Sequence, residues 1–532
     1  MSRLHDRLQD RLTALTAARL QGMRRGIEKE SLRALPDGEL ALTPHPPELG
    51  SPLTHPAITT DFSESQIEIV TGAHTRVEAT LAELEDLHRQ VYRVLAARGD
   101  ETLWLSSMPC RLPSDENIPI GRYGTSNVGR AKSVYRMGLS HRYGRRMQTI
   151  SGIHYNWSLP DVSSEDYFGL IRNFRRDAAV LLYLFGASPA LCGSFLAARE
   201  HSLQPLGERS LYRPHATSLR MGRLGYQSDA QSALAVSYND LDGYGASLQD
   251  ALTRPYPPYE TVGVRNPGGD YSQLSTTLLQ IENEFYGTIR PKRTVFPGER
   301  PLHALRERGV QYVEVRCMDL DPFEPLGIGA ATARFLDVFL LHCLLADSPP
   351  DTPAEIEALN RNQQLAAERG REPGLLFWRA GRQVTMPDWS RDLIAQCRQI
   401  AARVDELLGG EAYTQAVESV AQGAADPARL PSARVLAAID GQHDGSFMAF
   451  SRQQSAQARE QLLSPPLPAE AIAAFARDAA ASFEAQKEIE AGDTLPFEQY
   501  RQQYLQPNRL GFKSVPPAID PALGAASATA AR

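Results

Sequence analysis

The sequence predicts an α+β fold, one large sheet-bearing unit followed by a layer of helices, and two features of the residue pattern predict it. Four stretches, 26–30, 66–70, 152–158 and 312–317, alternate apolar and polar residues with the period of two that a strand imposes. From Thr352 to about Tyr504 the spacing turns helical in a run rich in Ala, Gln and Arg, opened by Thr352, Pro353 and Glu355 as a capping box with proline at the first helical position. The strands are scattered over nearly 300 residues, so residues 24–349 read as one catalytic sheet-containing part and 350–505 as a helical layer of the same domain.

The strands carry chemistry on one side. Tyr312, Glu314 and Arg316 face away from Val313, Val315 and Cys317, and His154, Asn156 and Ser158 face away from Ile153, Tyr155 and Trp157. A half-exposed strand alternates in the same way, so one such stretch decides nothing. Four in one sheet gather Glu28, Glu30, Glu68, His154 and Glu314 with Arg316 on a common face. Carboxylates that close cannot all stay ionised without cations between them, and hard oxygen ligands with one imidazole suit Mg2+ or Mn2+.

Composition narrows the class. A 532-residue chain with 42% hydrophobic and 22% charged residues builds a sizeable core. A net charge of -7 argues against a nucleic-acid partner. The five cysteines, 110, 192, 317, 343 and 397, are odd in number and contain no Cys-x-x-Cys pair, which predicts free or buried thiols in a reducing cytoplasm rather than a disulfide framework. Asp6 and Asp10 interrupt the N-terminal leucines, so no secretion signal is expected, and no apolar run is long enough to span a membrane.

Taken in order, residues 1–23 read as an amphipathic helix, and Pro36-Asp37-Gly38 as the turn of a hairpin. Residues 75–98 and the row Lys132, Tyr135, Leu139, Tyr143 have helical spacing, as does the apolar stretch 171–196, which Gly186 and Pro189 break. Residues 215–220 resemble a strand, and 278–286 alternate so as to put Gln280, Glu282, Glu284 and Tyr286 together. The tail 506–532, rich in Pro and Ala, has little to bury and is expected to be disordered.

Phosphate-loop, dinucleotide, zinc-protease and nucleophile-elbow fingerprints are all missing from the sequence. The remaining motifs are Arg25-Gly26-Ile27-Glu28-Lys29-Glu30, Ile58-Thr59-Thr60-Asp61-Phe62, Tyr123-Gly124-Thr125-Ser126-Asn127, the stretch 148–156, Tyr183 to Pro189, Ile281-Glu282-Asn283-Glu284, Ile289-Arg290-Pro291-Lys292-Arg293 and Tyr312-Val313-Glu314-Val315-Arg316. In these motifs, and in their order over residues 20–500, the chain resembles the bacterial type 1 glutamate-cysteine ligases, the gamma-glutamylcysteine synthetases.

The resemblance implies a glutamine-synthetase-like fold, an antiparallel sheet curved into a funnel and wrapped by helices. It implies an ATP-dependent ligase that joins the gamma-carboxylate of L-glutamate to the amine of L-cysteine through a gamma-glutamyl phosphate, the first step of glutathione biosynthesis. A related gamma-glutamyl ligase with another amine acceptor is the alternative. Glu28, Glu30, Asp61, Glu68, His154 and Glu314 are implied as ligands of Mg2+ or Mn2+, and Arg220, Gln148 and Ile150 as glutamate-binding. Arg316, Lys292 and Arg290 are implied to act on the transferring phosphoryl, and Phe62, Tyr135, Leu139, Tyr226 and Tyr286 to line the cysteine site. Lys29 stands where relatives have Arg and is expected to face away from the metals. L-glutamate, L-cysteine and ATP are the expected partners, the expected state is a cytoplasmic monomer, and no second ATP-using domain is expected after the helical layer.

Overall fold

The protein is described by a computed structural model, which covers residues 11–99, 101–196, 200–225, 229–232, 234–296 and 298–511. Seven strands make one sheet: β1 (Arg24–Ala34), β2 (Ile58–Thr60), β3 (Gln66–Val70), β4 (Thr102–Leu103), β5 (Ile153–Ser158), β6 (Ile289–Lys292) and β7 (Tyr312–Met318). The order is β2-β3-β1-β5-β7-β6, every pair is antiparallel, and β4 extends the far end of β1. The register sets the chemistry. Glu28 lies opposite His154, Glu30 opposite Glu68, and Glu314 between Asn156 and Arg290.

The apolar face of the sheet is covered by α3 (Ser164–Phe185) and α4 (Ala330–Leu345), which follow α1 (Val77–Ala96) and α2 (Asn127–Tyr143) in the chain. α3 starts at a complete capping box, Ser163 with Asp166, and stops at Gly186. Ile153, Tyr155, Trp157, Val313 and Val315 are buried with Phe174 and Phe335 in one core. Each large aliphatic or aromatic side chain buried there contributes roughly 1.5–3 kcal/mol.

One charged residue interrupts this core. Asp337 of α4, fully buried, pairs with Arg25 of β1 at 3.0 Å and accepts hydrogen bonds from Tyr155 Oη at 2.8 Å and Tyr413 Oη at 3.3 Å. Lys29 also points to this side, with Nζ 2.8 Å from His88 Nε2 on α1, away from the polar face as expected.

The helical layer is α5 (Pro353–Arg369), α6 (Met386–Leu408), α7 (Ala412–Ala425), α8 (Pro431–Gln442), α9 (Phe447–Leu463), α10 (Ala469–Gly492) and α11 (Phe497–Tyr504). The Thr352 hydroxyl accepts from Glu355 N at the start of α5, one half of the capping box expected from sequence, and a hairpin, Leu376–Arg379 with Arg382–Thr385, interrupts the layer before α6. Among the described residues no helix is long and apolar enough to cross a membrane.

Several local expectations are corrected. The N-terminal helix does not run unbroken to residue 23: the chain turns at residues 13–14 and a five-residue helix, Ala17–Gln21, starts afresh at the Thr16 cap, with Leu4 and Leu8 outside the described residues. Residues 215–220 form no strand, because the hydroxyl of Ser218 caps a 3-10 turn, Leu219–Met221. The alternation over 278–286 is broken by another such turn, Glu282–Glu284, so its acids part: Glu282 pairs with Arg300 and Glu284 with Arg142. Cys110 and Cys192 are joined in a disulfide, while Cys317, Cys343 and Cys397 are free and buried. The pairing spans 82 residues, and spacing alone carries no signal for it. Of the tail, Pro507–Leu510 is an ordered turn with Leu510 buried, and residues 512–532 lie outside the described residues.

Removing the carboxylate of Asp337 leaves Arg25 buried without its counter-charge, so Asp337→Ala is expected to destabilise the protein by about 3–5 kcal/mol. Urea unfolding followed by fluorescence checks it; an unchanged midpoint would show that Arg25 finds water or another partner.

Candidate active site

The polar face of the sheet forms the floor of a cavity of about 280 Å³ roofed by α2. β1 and β3 bring Glu28, Glu30 and Glu68, β5 brings His154, and β6 and β7 bring Arg290, Lys292, Glu314 and Arg316. Asp61 and Phe62 follow β2 directly, and Gln148 precedes β5. α2, capped by Ser126 on Gly129 N, presents Lys132, Tyr135, Arg136 and Leu139 on the side facing the cavity.

The acids are held in different ways. Glu28 Oε2 accepts from His154 Nδ1 at 2.9 Å and Oε1 from Asn156 Nδ2 at 2.9 Å. Burial, the largest influence, drives its carboxyl upward, but the His154 hydrogen bond together with the charges of His154 and Lys292 leaves it below the ordinary carboxylate range. Glu314 meets three cations: Lys292 Nζ at 3.1 Å, Arg316 Nη1 at 3.1 Å and Arg290 Nη1 at 3.9 Å. Against its burial, Lys292 and Arg316 hold it well below the ordinary range. Glu30 accepts from Gly152 N at 2.8 Å, yet burial and the nearby Asp61 push it up to about 8. Glu68 is raised well above its usual value by burial and by Glu28, Asp61 and Glu30. Burial and then Arg316 lower His154.

Ligand atoms of Glu28, Glu68 and His154 lie within 4.8 Å of one another. With Nδ1–H donating to Glu28, the His154 Nε2 lone pair is left for a cation, and the hydrogen bond holds the imidazole in place. Two carboxylates and an imidazole fit a hard divalent cation, and the raised Glu68 is the group such a cation would relieve. Glu30 and Asp61 flank the trio, while Glu314 is turned to its three cations.

The acceptor-side residues come together. Phe62, Tyr135, Leu139 and Tyr286 line the cavity, and Gln148 Nε2 donates to Tyr286 Oη at 2.7 Å. The Tyr143 and Tyr286 rings meet in a T-shaped contact, 5.3 Å between centroids. Tyr226 lies outside the described residues. Ile150 is buried in the core and Arg220 lies behind the wall, only 1% exposed. Arg220 Nη2 donates to the Arg316 carbonyl at 3.0 Å and Nη1 stands 3.7 Å from Asp319. Asp319 in turn accepts from Ala187 N, Ser188 Oγ and Ser218 Oγ at 2.6–2.9 Å. A Cβ on residue 152 would sit 2.1 Å from Arg220 Nη2, so only glycine admits the guanidinium here.

Cavity residues without an assigned role from sequence include Lys132, Arg136, Asn283, Tyr500 and Tyr504. Lys132 belongs to the helical row that sequence spacing already shows, and Arg136 lies on the same helix outside that row; Tyr500 and Tyr504 arrive from α11, and no local signal marks them. Burial, followed by the neighbouring Arg136, lowers Lys132 to about 8.

Comparison with known proteins decides the family. Residues 10–366 match the family model described as glutamate-cysteine ligase. The chain belongs to the glutamate-cysteine ligase family. The glutamate-cysteine ligase of Alcanivorax borkumensis is 45% identical over 95% of this chain and 99% of its own, and that of Pseudomonas aeruginosa strain LESB58 46% identical over 96% and 100%. Among solved structures, the glutamate-cysteine ligase of Francisella tularensis in complex with AMP superposes with a TM-score of 0.86 at 36% identity, covering 91% of this chain and 97% of that one. A bifunctional glutathione synthetase from Pasteurella multocida shares the fold, with a TM-score of 0.66 at 24% identity, over 88% of this chain and 57% of that one.

In the protein without metal, Glu30 binds more protons folded than unfolded between its ordinary value near 4.5 and about 8. Its contribution to stability is therefore full at low pH and is lost as pH rises through that window. Melting temperatures of wild type and Glu30→Gln across pH 5–9 are expected to diverge, with wild type falling relative to the variant, and saturating Mg2+ is expected to narrow the gap. Parallel curves would show that Glu30 keeps its ordinary titration.

Proposed function

We propose that this chain makes gamma-glutamylcysteine from L-glutamate, L-cysteine and ATP, on an antiparallel sheet that serves as the wall of a glutamine-synthetase-like funnel. The observation that supports this most is the pairing, in one cavity, of a carboxylate and imidazole cluster suited to Mg2+ or Mn2+ with three cations held around Glu314. The glutamate gamma-carboxylate attacks the terminal phosphorus of ATP, ADP leaves, and the cysteine amine then attacks the acyl carbon and releases phosphate.

The residues divide this work. Arg316, with Lys292 and Arg290, meets the charge of the transferring phosphoryl; Glu314 fixes all three before ATP arrives, so little rearrangement is left for the transition state. Glu28, Glu68 and His154, flanked by Glu30, Asp61 and Glu314, would hold the divalent ions, whose chemistry when bound is to neutralise phosphate and align the reactants. Gln148 on the wall and Arg220 beside Gly152 serve glutamate, the guanidinium lying near enough to Glu30 to oppose its rise. Phe62, Tyr135, Leu139 and Tyr286 enclose the cysteine side chain. ATP and the free thiol of cysteine place the reaction in the cytoplasm.

Phosphate release that requires glutamate, with a glutamylcysteine product by mass, tests the assignment; ATP turnover indifferent to glutamate would remove it. Arg316→Ala removes a preorganised donor, and turnover is expected to fall by about 10²–10³ with the glutamate KM within a few-fold. Steady-state kinetics check this, and a change confined to KM would move Arg316 to ground-state binding. An aromatic and apolar pocket discriminates by fit, so 2-aminobutyrate is expected to replace cysteine with efficiency reduced by no more than roughly 200-fold, and serine to do worse. Competition among the three amines, read by product mass, decides; serine ahead of 2-aminobutyrate would mean that the pocket reads a hydrogen bond.

A further inference from the structure

Lys132 is one of only five lysines in the chain, and no role assigned above uses it. It stands on α2 three residues before Tyr135 and seven before Leu139, on the side facing the cavity. Its ammonium lies 5.2 Å from the centroid of the Tyr123 ring, and that ring is fixed through hydrogen bonds of its hydroxyl to Thr60 and to the carbonyl of Asp61. The neighbouring cation is already spent: Arg136 donates to the carbonyls of Thr60, Asp61 and Lys132 and stacks on Tyr123 at 4.5 Å. Among the described residues no carboxylate oxygen lies within 4.0 Å of the Lys132 ammonium.

An ammonium partly withdrawn from water, which feels Glu68 only from beyond contact distance, is set to receive an anion that arrives with a ligand. Three kinds arrive in this reaction. The phosphates are met at the β6–β7 end of the sheet by Arg290, Lys292 and Arg316, whereas Lys132 is at the other end, beside the β2–β3 pair and next to the acceptor residues Phe62 and Tyr135. Glutamate is assigned to Gln148 and Arg220. We infer that Lys132 binds the alpha-carboxylate of the acceptor, so that the enzyme selects amino acids over simple aminothiols. This rests on the acceptor site proposed above, and it adds a charged contact to a pocket otherwise aromatic and apolar.

Cysteamine, which keeps the amine and thiol of cysteine and lacks the carboxylate, separates the possibilities. Wild type is expected to prefer cysteine to cysteamine by at least about tenfold in kcat/KM, the size of one modest charge contact. Lys132→Met is expected to remove most of that preference by lowering the efficiency of cysteine alone, with glutamate and ATP KM within about twofold, and Lys132→Arg to restore part of it. Equal loss with both acceptors would overturn the inference and move the ammonium to glutamate, phosphate or metal. A wild type that uses cysteamine as well as cysteine would overturn it without any variant, which keeps the test decisive if Lys132→Met does not fold. A wild type that forms no gamma-glutamyl product with either amine would instead remove the proposed function itself.

Discussion

Like charge crowded on one face of a sheet is the condition that the rest of the structure answers to. Glu28, Glu30, Glu68 and Glu314 are placed by strand register, and register cannot be relaxed without turning every apolar residue of those strands away from the core. The protein compensates carboxylate by carboxylate. Glu314 is given three cations, Glu28 an imidazole and an amide, and Glu30 a backbone N–H and a share of protonation. Glu68 is left with its charge least answered, which makes it the point where a divalent ion gains most.

The back of the same strands shows how such a face is kept flat. β1 alternates between the cavity and a core that also holds Arg25 and Lys29, and each of those cations is met from a covering helix, Asp337 on α4 and His88 on α1. The sheet is thus clamped on its dry side by a few polar contacts set in apolar packing. Those contacts fix the helices in register with the strands, and the geometry of the acids depends on that register.

The period-two strands made Glu28, Glu30, Glu68, His154, Glu314 and Arg316 legible from sequence, because strand geometry leaves a side chain only two directions. The row Lys132, Tyr135, Leu139 was legible as a helix face for the same kind of reason. Arg220 and Glu282 to Glu284 were not, since in both places side chains or chain reversal impose 3-10 turns on stretches whose alternation imitates a strand. The disulfide, the layer position of Arg220 and the contribution of Tyr500 and Tyr504 depend on contacts between residues 82 or more positions apart or on packing order, and no local pattern encodes them.

That last contribution governs when the enzyme comes into being. Tyr504 covers the Arg300 guanidinium at 4.7 Å and its carbonyl accepts from Arg300 Nη1 at 2.8 Å, while Asp493 and Leu495 accept from Asn127 at the start of α2. Part of the cavity wall therefore comes from α11, more than 450 residues along the chain from Glu28 in the floor. Until α11 has been made, the acidic floor lacks the part of its wall that Tyr500 and Tyr504 supply.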